Sequence, residues 1–321
     1  MNTDQNKANR KWTGLALAAI LALAGLSFTV RAVSTGRLAF ATDAASQMTF
    51  QSPTEAATAL ARAAKDTDEK ALTKVLGIEA KALITAGDSE SDKAAMQQFF
   101  TKYQQMNRFV DMSDGSRVLY IGADNFAFPV PLAKNASGSW YFDAVAGAQE
   151  IRAREIGRNE LLTIDTLASL ANAEQIYSAN INSGEYAQRI ISTAGKQDGL
   201  YWPAWDSFGV SPLAQLEAFP SSSLTSLSPD QPFVIDGYAL RILTGQGDDA
   251  TGGAQSYVVN GKMTGGFAIL ATPVKYGETG IMSFIIGRQG FVYERDLGPD
   301  TAKTAASIQL YNPGDNWSPI D

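Results

Sequence analysis

Residues 266–294 read GFAILATPVKYGETGIMSFIIGRQGFVYE, and this stretch decides the fold. Gly266–Ala271, Gly280–Ile286 and Gly290–Glu294 are runs of strand formers separated by glycine-rich turns. β-Branched and aromatic side chains fit a pleated, half-buried surface. Such short connections make the strands antiparallel, because parallel neighbours need a crossover of a dozen or more residues. Upstream, Gly237–Thr244 and Gln255–Val259 extend the same meander. Val258-Val259-Asn260-Gly261-Lys262 contains Asn-Gly, whose two residues tolerate the positive φ angles of a tight hairpin.

Before this meander the pattern is helical. From Ala148 to about Ala179, Ile151, Ile156, Leu161, Ile164, Leu167, Leu170, Ala171 and Ile176 recur at helical spacing. Gly157 marks a bend or a break in that helix. Asn180–Gln231 is irregular and carries Tyr186, Tyr201, Trp202, Trp205 and Phe208, with a polar loop at Ser221–Ser228. Further toward the amino terminus, Ser52-Pro53-Thr54-Glu55 is a helix start, with a cap, a proline at the first helical position and a capping-box glutamate. A second helix begins at Asp68-Glu69-Lys70-Ala71-Leu72 and ends near Gly77, and a third runs from about Ser91 to Asn107. Arg117–Gly122, Ala127–Leu132 and Ser139–Phe142 read as strands of a small antiparallel sheet.

The fold class is therefore α+β. The expected order is N-terminal helices with a small antiparallel sheet, then a long helix and a C-terminal antiparallel β-meander. The expected divisions are a leader over 1–41, a linker over 42–51, an N-terminal α+β domain over 52–147, and a second domain over 148–321.

The leader reading rests on charge and hydropathy. Arg10 and Lys11 precede an uncharged, Leu- and Ala-rich stretch from Trp12 to Val30, and Ala39-Phe40-Ala41 offers small residues before Thr42. That is the pattern of an export signal cleaved after Ala41, which places the mature chain in the periplasm. The alternative is an uncleaved inner-membrane anchor over residues 12–30, the only membrane contact expected.

Composition excludes several functions. The chain has no cysteine and no histidine. Thiolate chemistry, disulfides, histidine triads and histidine-bound metals are all ruled out. Net charge is −7, and residues 1–41 alone carry +4, so the remainder carries about −11. An acidic surface is unsuited to nucleic acid. Asp248, Asp249, Asp296 and Asp300 match no calcium-loop pattern, so no metal and no cofactor are expected.

Two segments hold the candidate binding residues. In Arg152–Glu160, Arg154 and Arg158 lie one helical turn apart and, with Asn159, form a grip for a carboxylate or phosphate. The alternative is that they pair with carboxylates and pin the halves together. In Lys196–Pro203, Asp198 suits a turn, and Tyr201 and Trp202 line a groove for a sugar or peptide. The alternative is that these rings are core.

FQSPTEAATALARAAKDTDEKALTKVLG, IRAREIGRNELL, STAGKQDGLYWPA, VVNGKMTGGFAILATPVKYGETGIMSF and FVYERDLGPDT resemble, in that order, the bacterial domain-of-unknown-function family numbered 2950, from about Phe50 to Trp317. The resemblance implies an exported Gram-negative protein and no established activity. NELLTIDTLASLANAEQIYS, followed by the strands above, is similar to the globular heads of type IV pilins and pseudopilins. The amino terminus lacks the prepilin signature of Gly before Phe with Glu five positions on, so the likeness implies a head domain and no filament. The expected function is a non-enzymatic binding or assembly protein of the cell envelope with a protein or glycan partner. The alternative is a histidine-independent hydrolase of envelope glycans or peptides.

Overall fold

A computed structural model of the chain describes residues 47–78, 89–203, 208–216, 228–229, 231–314 and 316–320. The leader (1–41), the anchor segment (12–30), Trp205 and most of the polar loop 221–228 lie outside the described residues. The architecture is α+β, in two compact units divided between Ala153 and Arg154.

The first unit opens with α1 (Pro53–Lys65), α2 (Glu69–Leu76) and α3 (Ser89–Gln105). Ser52 caps α1 by accepting the Glu55 amide, and Asp68 caps α2 by accepting the amides of Lys70 and Ala71. These bonds satisfy donors that a helix start leaves unpaired. The Glu55 carboxylate reaches back to the amide of Gln51. Ala56, Ala57, Ala61 and Ala64 are buried with Leu60 on α1, and Met96 and Phe99 are buried on α3. The small residues allow close helix contact while the large ones fill the core.

The sheet of this unit holds β1 (Asn107–Asp111), β2 (Arg117–Ile121), β3 (Phe126–Ala127), β4 (Leu132–Lys134) and β5 (Trp140–Phe142), in order β1-β2-β4-β5 with β3 on β2. Two expectations change here. β1 is an additional strand, formed where helical pairing stops and Asn107–Asp111 pairs with β2. The expected strand 127–132 is two short ones, because Pro129 and Pro131 remove ladder donors between them. The expected linker 42–51 is part of this unit from Gln47 onward. Gln47 donates to the carbonyls of Val75 and Phe142, and buried Phe50 pairs with Trp140.

The long helix α4 (Ala144–Ile176) has 33 residues and passes into a π-helical turn, Tyr177–Ile181. It starts earlier than Ala148 because Asp143 accepts the Ala146 amide. It also runs through Gly157 without a break. A Cβ at Gly157 would meet nothing within 4 Å. Gly157→Ala should therefore stabilise the chain by about 0.5–1 kcal/mol, since glycine loses more backbone freedom in a helix than alanine does. A lower urea midpoint for the variant would contradict this.

The second unit is built on a six-stranded antiparallel sheet, order β15-β14-β13-β12-β7-β6. Its strands are β6 (Phe233–Ile235), β7 (Tyr238–Leu243), β12 (Ala268–Pro273), β13 (Met282–Gly287), β14 (Val292–Asp296) and β15 (Ser318–Pro319). The expected strand 255–259 is not part of it. Its residues divide between two small ladders, β8 (Gly245–Gln246) with β9 (Gln255–Ser256), and β10 (Val258–Val259) with β11 (Lys262–Met263). The β10–β11 turn is the Asn260-Gly261 hairpin, with φ of 51° and 82°. A short helix, α5 (Thr301–Ser307), packs on β12. The register places Phe284, Ile286, Ile269 and Ala271 on one sheet face, and Ile285, Leu270, Tyr293 and Arg295 on the other. Both faces are buried at β12 and β13, which explains their near-continuous apolar runs.

Candidate functional site

The sequence-derived candidates fall into two groups with different partners. Arg158 and Asn159 lie on α4 in the second unit. Asn159 donates to the Thr279 carbonyl at 3.0 Å. The next residue, Glu160, accepts the amides of Ile281 and Met282 through Oε1, both at 2.9 Å. These bonds fasten α4 to the β12–β13 connection. Burial raises the pKa of Asp236, and the Arg158 charge pulls it partly back. Arg154 is half-buried one turn before Arg158. Asn159 is thus committed to holding the helix on the sheet.

Asp198 closes a tight loop. Its two oxygens accept the Thr193 amide and hydroxyl at 2.7 and 2.8 Å. Burial alone would raise its pKa, but the Thr193 bonds and the Arg189 charge outweigh that, and the net shift is downward. Within this loop Ser192 donates its amide to the Tyr201 carbonyl, and a Cβ at Gly199 would stand 2.7 Å from that Ser192 nitrogen. Only glycine fits there.

Tyr201 and Trp202 do not line an open groove. They are 4% and 1% exposed and belong to the core of the second unit. The Trp202 indole N–H donates to the Gly209 carbonyl at 2.9 Å. The sheet offers its aromatic neighbours more apolar contact than water does, so burial prevails.

A buried carboxyl, Glu174, and a half-buried one, Glu294, are positioned in ways the sequence reading missed. Glu174 on α4 is 0% exposed. Its Oε2 accepts the Ala187 amide at 2.8 Å, while Oε1 has no partner among the described residues. Burial pushes its pKa well above the usual carboxylate value, against the opposing Ala187 bond. Its spacing from Leu167 and Leu170 placed it on the buried stripe, so periodicity could have found it. Glu294 on β14 is raised by burial and then by the negative charge of Glu160.

An open concavity lies on the other face of the sheet. It is a groove of about 380 Å³ between β14, the end of α5 and the chain that follows it. Arg241 fixes the α5 end by donating to the carbonyls of Ala305 and Ile308. Asp249 and Asn312 hold each other through two hydrogen bonds of 2.9 and 2.7 Å. Cβ atoms at Gly247 and Gly314 would each come within 2.5 Å of that pair, so both glycines keep it in place. Arg295 and Trp317 complete the wall. Neither Arg295 nor the Trp317 indole N–H has a hydrogen-bond or ion-pair partner among the described residues. The sequence reading missed this site, because the chain after α5 has no periodicity to mark it.

Among the described residues, no three acidic side chains are grouped to hold a metal ion, and no helix is long and apolar enough to cross a membrane.

Fold and groove together define a two-unit α+β protein, free of histidine and cysteine, with a donor-lined groove on its C-terminal sheet. The chain belongs to the family described as protein of unknown function, DUF2950, whose profile matches residues 47–320. No curated protein and no solved structure matches the chain.

Proposed function

We propose that this chain is an exported cell-envelope protein that binds a partner through its second unit and carries out no catalysis. The groove beside Arg295 and Trp317 carries the reading, because it offers polar donors with no partner among the described residues. Such groups attract an external acceptor. The export part rests on Arg10, Lys11, the apolar run 12–30 and Ala39-Phe40-Ala41. The recognition surface is thus moved from Tyr201 and Trp202, which are buried, to the C-terminal groove.

The hydrolase reading needs two carboxylates in one cleft. Glu160 and Glu294 are the acidic pair with a raised member, but Glu160 is bound to two backbone amides and neither lines the groove. Turnover of peptidoglycan by the purified chain, lost in Glu294→Gln, would reverse the choice.

Fractionation with mass spectrometry of the mature amino terminus tests export. A periplasmic chain beginning at Thr42 is the expected result. An intact terminus in the membrane fraction selects the anchored form, and a cytosolic chain overturns the reading.

A further inference from the structure

We propose that the groove beside Arg295 is a site for a sugar that carries a carboxylate. This rests on the binding reading above and names the ligand of that same site. Arg295 is half-buried on the α5 side of β14 and, although Asp249 lines the same groove, makes no ion pair with it or with any other of the described residues. A guanidinium partly withdrawn from water without an acidic partner is costly, and its planar fork matches a carboxylate in two parallel bonds. Directly across the ladder, Ser283 is 0% exposed and its hydroxyl has no partner among the described residues. Among the described residues, the α5 side of β13 and β14 therefore holds a cation without an ion pair in the groove and an unpartnered hydroxyl outside its lining.

The rest of the groove fits a pyranose ring. The Trp317 indole, Ile308 and Leu310 supply an apolar surface, and Leu310 remains 48% exposed. The C–H face of a sugar packs on such a surface, while its hydroxyls need amides and carboxylates around it. Asn312 and Asn316 supply amides, and the second oxygen of Asp249 accepts from a hydroxyl. The groove is open and about 380 Å³, the size of one or two rings. The chain's net charge of −7 gives an anion no long-range attraction, so recognition depends on the short-range grip of Arg295. A peptide carboxylate would also meet that grip, but the indole and clustered amides favour a ring.

N-Acetylmuramic acid and N-acetylglucosamine differ only in the 3-O-lactyl ether, which carries the carboxylate, and D-lactate supplies a carboxylate without a ring. Each is titrated into the full mature chain by calorimetry. The expected result is that N-acetylmuramic acid binds at least about tenfold more tightly than either of the others. Arg295→Gln should remove the difference between the two sugars to within about twofold. Asn316→Ala, at an exposed position, serves as a second variant if Arg295→Gln does not fold. It should weaken N-acetylmuramic acid about threefold, in line with loss of one neutral hydrogen bond. Equal binding of the two sugars, equal binding of lactate, or no binding at all overturns the assignment. An exported chain that captures envelope material yet gives one of those results sinks this inference alone. A cytosolic chain that discriminates the sugars sinks the export reading alone.

Discussion

Replacing Trp202 with alanine should destabilise the second unit by about 3–5 kcal/mol, the usual range for truncating a buried aromatic. Trp202 is the largest of the fully buried side chains among the described residues. Alanine at this position leaves a cavity among Leu200, Leu213 and the sheet residues of the same core. It also strips the Gly209 carbonyl of its indole donor. Trp202→Phe keeps most of the volume and loses only that bond, so its cost should be nearer 1–2 kcal/mol. Urea unfolding followed by circular dichroism measures both. A loss below about 1 kcal/mol for the alanine variant would show that the indole is at the surface after all. One consequence is practical. A triple replacement of Arg158, Tyr201 and Trp202 cannot separate binding from folding, because loss of partner capture would follow from unfolding alone.

Glu174→Gln should make the chain more stable at neutral pH and remove a pH dependence. Burial, the largest cause, raises the folded-state pKa of Glu174, and the Ala187 bond only partly opposes it. The folded chain therefore keeps a proton that the unfolded chain has released above its ordinary value of 4.5. Stability falls as pH rises through that window, by about 1.4 kcal/mol per pH unit, until the folded carboxyl itself ionises. Below about pH 4 both states hold the proton, and the penalty vanishes. Glutamine is isosteric with the protonated acid and retains an oxygen for the Ala187 amide. Urea midpoints between pH 4 and 8 should thus rise for the variant at the neutral end and coincide at the acid end. Parallel curves for the two proteins would show that Glu174 is ionised in the fold.

How legible the fold was depended on which signals act locally. The cap at Ser52, the Asn260-Gly261 hairpin and the strands expected at 266–271 and 280–286 are set by neighbours in sequence, and they form, the strands at 268–273 and 282–287. Strand β1 was not legible because no turn residue separates it from α3, and its pairing with β2 decides its conformation. The split of 127–132 was legible in principle from Pro129 and Pro131. The candidate residues divide in the same way. Aromatic character marked Tyr201 and Trp202 as significant, but sequence cannot say whether a ring faces water or a sheet assembled from residues as far along the chain as Phe233 and Ile286. Arg295 alternates with Glu294 across β14, so its facing was predictable, while the groove it joins requires a return of the chain after α5 that no local signal encodes.

The terminal strands of the second unit's sheet have a further consequence. β15 has two residues, the second of them Pro319, and β6 has three and directly follows Pro232. A long exposed edge is a template on which another chain can add a strand, and short, proline-marked edges offer little of that template. The sheet is thereby guarded against edge-to-edge aggregation with its own copies. Recognition by this unit must go through side chains, because its backbone has almost no ladder left to share.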